Sequence, residues 1–120
     1  MVAVRRREQR LRRGADIIAT LRRGRRTRTR LMRVNALDNG LDHNRYGFSI
    51  SRRVGNSVVR NRAKRQLREI VHQVPTASGY DVMVTADESI ANADFQEISR
   101  AFASATQKLS IANDDLQRSE

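Results

Sequence analysis

The sequence predicts an α+β fold, one sheet of about four strands covered by three helices, and three patterns carry that expectation. Residues 57–72 run without Gly or Pro and place Val59, Ala63, Leu67 and Ile70 on one arc of a helix, with Val71 at its edge. Residues 45–51 (RYGFSIS) and 80–86 (YDVMVTA) have the short, β-branched and aromatic-rich patterns of strands. From Asp94 onward, Glu97 stands at capping-box spacing, and Phe95, Ile98, Phe102, Ala105 and Leu109 recur every three or four positions. A chain of 120 residues suffices for one domain with a modest core, expected over residues 14–109 between a basic tail (1–13) and a polar tail (110–120).

In chain order, the first 13 residues carry Arg5, Arg6, Arg7, Arg10, Arg12 and Arg13 with little to bury, which predicts a flexible basic tail. Asp16 is expected to cap a short helix through Arg23, with Ile17, Ile18 and Leu21 as its apolar residues and Gly24 ending it. Residues 25–30 (RRTRTR) read as an exposed edge strand or a loop. In the strand over 31–37, Met32, Val34 and Ala36 share one face and Leu31, Arg33, Asn35 and Leu37 the other, and Asp38-Asn39-Gly40 makes a turn. In the strand over 45–51, Tyr46, Phe48 and Ile50 face one way. Gly47, Ser49 and Ser51 face the other, a small-residue face that admits either a nucleic acid or a neighbouring element. Gly55 and Asn56 turn into the 57–72 helix, capped by Asn56 or Ser57. A loop over 75–79 leads to the strand over 80–86, with Val82 and Val84 inward, and residues 110–120 read as a frayed tail.

Charge is strongly segregated. Residues 1–68 hold 21 basic and 4 acidic side chains, whereas residues 69–120 hold 3 and 9. An excess concentrated in one half points to a polyanionic partner. High genomic GC content accounts for Arg standing in for Lys, but not for the segregation. With no Cys there is no disulfide, thiolate metal site or cysteine nucleophile, which fits the cytoplasm. No apolar run approaches the ~20 residues of a membrane helix, and no secretory h-region follows the start. Residues 1–19 contain no Ser or Thr, unlike an organelle transit peptide.

The positive charge peaks on the 57–72 helix. Opposite its apolar arc lie Asn61, Lys64, Arg65 and Arg68, flanked by Arg60 and Arg62, and Arg52 and Arg53 precede the turn. Arginine presents a planar fork of donors that fits phosphate oxygens and stacks on bases, and the helix N-terminus adds backbone donors for an anion.

The string Arg52-Arg53-Val54-Gly55-Asn56-Ser57, then Arg60-Asn61-Arg62, Ala63-Lys64-Arg65 and Arg68, after a strand like YGFSIS, resembles the signature of the bacterial ribonuclease P protein component. The order of elements is similar from about Arg10 to Leu109. The resemblance implies a small αβ sandwich with a mostly antiparallel sheet and a left-handed βαβ crossover around the basic helix. It implies that the catalyst is an RNA subunit, which with its substrate holds the Mg²⁺ that activates water. No obligate protein partner is evident from the sequence. The protein would bind that RNA through Arg52, Arg53, Asn56, Arg60, Asn61, Arg62, Lys64, Arg65 and Arg68 and guide the 5′ leader of precursor tRNA along the sheet and first helix. Family members often carry aromatics on that helix and on the following strand. Here Ile17, Leu21 and Asn35 stand at those positions, leaving Arg28, Arg30 and Arg33 to hold the leader.

The residues themselves offer no catalyst. His43 and His72 lack metal-ligand spacing and read as surface residues, and no GxSxG, P-loop or HExxH string occurs. Asp38 with Asp42, and Asp87 with Glu88, show nothing that separates an acid from a base role. A ribosomal or ribosome-assembly protein shares the size and charge, but not the RNR string at this spacing. A DNA-binding regulator needs a helix-turn-helix pair or a dimer face, and a protein-only nuclease needs a carboxylate cluster.

Overall fold

The computed structural model describes residues 6–113. Its elements are α1 (Gly14–Arg23), β1 (Arg25–Arg28), β2 (Met32–Asp38), β3 (Arg45–Ser49), α2 (Ser57–Gln73), β4 (Tyr80–Ala86) and α3 (Phe95–Lys108). Short 3₁₀ turns lie at Arg6–Gln9, Arg52–Val54 and Glu88–Asn92. The strands form one sheet in the order β1-β2-β4-β3. β1 with β2 and β2 with β4 are antiparallel, while β3 and β4 are parallel. Parallel neighbours need a crossover, and α2 provides it.

Register sets the two faces. Val34 lies opposite Val84 and Ala36 opposite Val82, and α2 and α3 close over this face with Ala63, Leu67, Ile70, Ile98, Phe102 and Ala105. Burying each large apolar side chain stabilises the fold by about 1.5–3 kcal/mol. The caps agree with the sequence: Asn56 Oδ1 accepts from Val59 N–H at 3.1 Å, and Asp94 and Glu97 form a complete capping box.

The second face carries the row Arg26, Asn35, Met83 and Gly47, and α1 crosses it. A Cβ on Gly47 would sit 2.4 Å from Met83 Sδ and 3.5 Å from Leu11 Cβ. Of the two uses open to this small residue, packing against neighbours is therefore the one found. Gly24 lets α1 turn tightly into β1, since a Cβ there would meet the carbonyl oxygens of Thr20 at 2.4 Å and Ala36 at 2.9 Å.

Several boundaries differ from expectation. Helix α1 begins at Gly14, so Asp16 lies in its first turn rather than at its cap, and Arg13 at the cap position has no side-chain acceptor to cap the helix. Leu11, inside the segment expected to be a flexible tail, is buried, and its N–H donates to Tyr46 O at 2.9 Å. Residues 1–5 of that segment lie outside the described residues. Strand β3 stops at Ser49 because the chain tightens into the turn at Arg52–Val54, whose Val54 N–H donates to Ser51 O at 3.1 Å. Helix α2 runs one residue past the expected end, to Gln73.

The far end is also tied down. Helix α3 closes with Ser110 N–H on Gln107 O at 3.0 Å and Ile111 N–H on Thr106 O at 2.9 Å, which is a Schellman motif. Ile111 is fully buried, and Ala112 bridges to Thr76. Residues 110–113 of the expected polar tail are thus packed on the domain, and residues 114–120 lie outside the described residues. Ser110 occupies the left-handed position with φ 60. Ser110→Gly is expected to raise stability by about 0.5–1 kcal/mol, because glycine adopts this conformation without steric cost. Chemical denaturation checks it, and a lower midpoint at unchanged slope would contradict it.

Candidate nucleic-acid interface

Helix α2 turns its dry arc to the core, which forces its cations outward. Asn61, Arg62, Lys64 and Arg65 are exposed, and Arg60 and Arg68 are half-buried. Val58, Asn61, Lys64, Arg65 and Arg68 line an open groove of about 520 Å³ along the helix. Val58 is 73% exposed at one end of this groove, an apolar contact that the charge pattern hid. Among the described residues, none of the α2 cations is held in an ion pair with an acid, so their charge is directed at solvent or at a partner. Arg60 Nε is buried without a hydrogen-bond partner, so its stem is fixed against the protein and its tip starts from a set position.

The turn before α2 is shaped by close packing. A Cβ on Gly55 would lie 2.9 Å from both Cβ and Cγ1 of Val59, so the backbone folds directly onto the helix it precedes. This brings exposed Arg52 and Arg53 beside the N-terminal end of α2. Arg53 reaches Glu88 only at 4.0 Å with both side chains largely exposed, a contact worth little in water. Asn56 is exposed, and its Oδ1 is occupied by the cap.

A second surface lies on the α1 side of the sheet. Arg28, Arg33, Thr85 and Ser49 form one row across all four strands. Arg33 and Ser49 are exposed and Thr85 half-buried, and Arg28 is drawn towards Asp87 at 3.6 Å. Ser89 N–H and Oγ hold the Asp87 carboxyl below its ordinary value, so Asp87 stays charged into mild acid. From α1, Ile17 is half-buried and Leu21 is 37% exposed beside the row's helix.

Two residues expected on this surface are not there. Asn35 is 2% exposed, because α1 covers its row, and it sits in the interior with Oδ1 unpartnered. Arg30 leans to the opposite side, with Nη2 on Glu97 Oε2 at 3.3 Å and its carbonyl accepting from Ser89 Oγ at 2.8 Å. Conversely, Arg26, Ser49 and Thr85 join the face by register, a signal that needed the strand pairing to be known.

What fixes α1 over the sheet also escaped the sequence. Arg45 forks onto Asp81, with Nε on Oδ1 at 2.7 Å and Nη2 on Oδ2 at 2.6 Å. Asn39 Nδ2 donates to the same Oδ1 at 3.0 Å, and Arg45 Nη1 reaches Asp16 Oδ2 at 3.5 Å. The bond to Asp81 raises the Arg45 guanidinium further above its ordinary value, so Arg45 stays charged throughout the accessible pH range.

His43 is half-buried and bonds Asp42 at 2.9 Å, and the His72 ring meets Tyr46 edge-on at 5.8 Å. Among the described residues, no group of three or more His, Cys, Asp or Glu comes together. No helix among them is long and apolar enough to cross a membrane.

Residues 6–110 match the family model described as Ribonuclease P. The chain belongs to the ribonuclease P protein family. The ribonuclease P protein component of Alkaliphilus oremlandii is 31% identical over 106 residues, 87% of this chain and 93% of that protein. That of Natranaerobius thermophilus is 38% identical over 82 residues, 67% of this chain and 71% of that protein. The solved Staphylococcus aureus RNase P protein superposes with a TM-score of 0.78 at 27% identity, over 88% of this chain and 98% of that one. The ribonuclease P family match starts at Arg6, so the segment that lays Leu11 on β3 belongs to the family's domain.

Proposed function

We propose that this protein binds the catalytic RNA subunit of ribonuclease P through α2 and the turn before it. It guides the 5′ leader of precursor tRNA over the α1 side of the sheet and assists removal of that leader to give the mature 5′ end. The observation that carries the proposal is the cation face of α2, whose arginines and lysine have no acidic partners among the described residues. Arg52, Arg53, Asn56, Arg60, Asn61, Arg62, Lys64, Arg65 and Arg68 contact the RNA subunit; Ile17, Leu21, Arg28 and Arg33 face the leader.

The physical role is screening. Two polyanions repel each other, and cations fixed between them lower that repulsion, so less free Mg²⁺ is needed to hold them together. Mg²⁺ is held by RNA and substrate. The compartment is the cytoplasm.

Cleavage of a precursor tRNA at low Mg²⁺ tests the proposal, with the ribonuclease P RNA of the same genome alone, with the protein, and the protein alone. Activity is expected only from the combination. Cutting by the protein alone overturns the division of labour, and tight RNA binding without any gain in cleavage favours a ribosome-type RNA binder.

Because aliphatic Ile17 and Leu21 face the leader, single-base changes in it are expected to shift affinity by less than about fivefold, the least that one stacked base contributes. Titration of precursors differing at one leader base checks this, and a larger preference at any position contradicts it.

A further inference from the structure

The groove along α2 ends at Arg68, and Arg68 also lines a second, more enclosed hollow of about 180 Å³. Tyr46 of β3 and Val71 of α2 are buried in its wall, Gln9, Phe48 and Arg68 are half-buried, and Arg10 and His72 are exposed. Tyr46 and His72 meet edge-to-face at 78°, a contact that takes up one flat side of one ring at most. The backbone of Arg10 is tied to Tyr46 by a bridge, so this arginine is held at the hollow rather than free on a tail.

Size and chemistry narrow the occupant. The hollow is smaller than the ~300–1,000 Å³ of sites for drug-sized ligands, so it suits a single planar ring system. Aromatic side chains and arginine planes are the surfaces on which nucleobases stack, and two guanidinium groups at the mouth suit a phosphate. Continuity through Arg68 supplies the direction: a strand lying in the α2 groove meets this hollow next.

We propose that one unpaired nucleotide of the RNA bound by α2 inserts its base here, stacked on Phe48 and His72, with its phosphate between Arg10 and Arg68. This rests on the RNA-subunit reading of α2. Insertion selects an RNA segment with an extrudable base, whereas the α2 cations bind any phosphate backbone of suitable shape. The hollow therefore confers preference for one position in the RNA, and the groove confers strength.

The test is equilibrium binding of the full-length ribonuclease P RNA from the same genome over a salt series, using wild type, Phe48→Leu, His72→Ala and, for comparison, Arg65→Ala. Phe48→Leu keeps the apolar packing, and His72→Ala removes an exposed ring, so both variants are expected to fold as wild type does. Each should lose about tenfold in affinity with an unchanged salt slope, because stacking releases no counterions. Arg65→Ala should lower the slope. A photo-crosslinking residue at position 72 should label one unpaired nucleotide. Affinities within twofold of wild type, a reduced slope for the ring variants, or labels spread along helical RNA would each overturn the hollow's role and leave the α2 contact standing. If wild type does not bind this RNA at all, the RNA-subunit reading fails and the hollow's role with it.

Discussion

Replacing Arg60 and Arg65 together by alanine is expected to weaken binding of the ribonuclease P RNA by about 150-fold or more, since each charged hydrogen bond contributes about 1.5–3 kcal/mol. The same double variant should flatten the plot of log K against log salt by about 1.5, corresponding to two lost phosphate contacts. The two arginines test different geometry. Arg65 is exposed in the groove, whereas Arg60 has its Nε buried against the protein. Arg65→Lys should therefore retain much of the affinity as a point charge, and Arg60→Lys should retain less, because lysine cannot reproduce a fork held at a set angle. A double variant within threefold of wild type at every salt concentration would remove α2 as the RNA-binding element. Its melting temperature, measured alongside, separates lost contacts from lost folding.

Arg45→Ala is expected to destabilise the fold by about 3 kcal/mol or more. Arg45 is half-buried and Asp81 buried, and removing the partner of a buried charge leaves it uncompensated, at a typical cost of ~3–5 kcal/mol. Here the survivor is Asp81, 4% exposed, with only Asn39 Nδ2 still donating to it. For a domain of this size the loss corresponds to a fall in melting temperature of more than about 10 °C. Arg45→Ala with Asp81→Ala should recover part of it, since no isolated charge remains buried. A single variant within about 1 kcal/mol of wild type by denaturant titration would show that the pair is not integral to the sheet. The same substitution frees α1 from Asp16–Arg45, so the α1 surface should also lose its fixed position over β2.

The elements with strong periodicity were legible: α2 and α3 follow from Leu67, Ile70, Ile98 and Phe102, and both caps follow from side-chain chemistry at Asn56 and Asp94. The cationic arc of α2 was legible for the same reason, since a helix with one dry arc has its charges dictated. Strand order was not. Nothing local to residues 80–86 says that they pair with both residues 32–38 and residues 45–49, so the row joining Arg28, Arg33, Thr85 and Ser49 stayed hidden. Asn35 was misplaced because alternation assigns a residue to a face but not what covers that face. Within the two expected tails, the anchoring of Leu11 and Ile111 escaped the sequence because a single apolar residue is outweighed in composition by the polar residues around it. Arg45 and Asp81 stand 36 residues apart, and pairing at that range leaves no mark in the sequence.

The position of β4 in the sheet bears on how the chain is made. It is the last strand to leave the ribosome, yet it lies between β2 and β3, which touch each other only through it. Until Ala86 has emerged, the nascent protein holds a β1–β2 hairpin, an unpaired β3 and an α2 whose dry arc lacks half its seat. By then most of the arginines are already outside, carried by a chain that cannot yet close. The sheet over residues 25–49 therefore cannot close until β4 arrives, and a nascent chain paused before Tyr80 presents 21 of its 24 basic residues to the surrounding RNA while its sheet is still open.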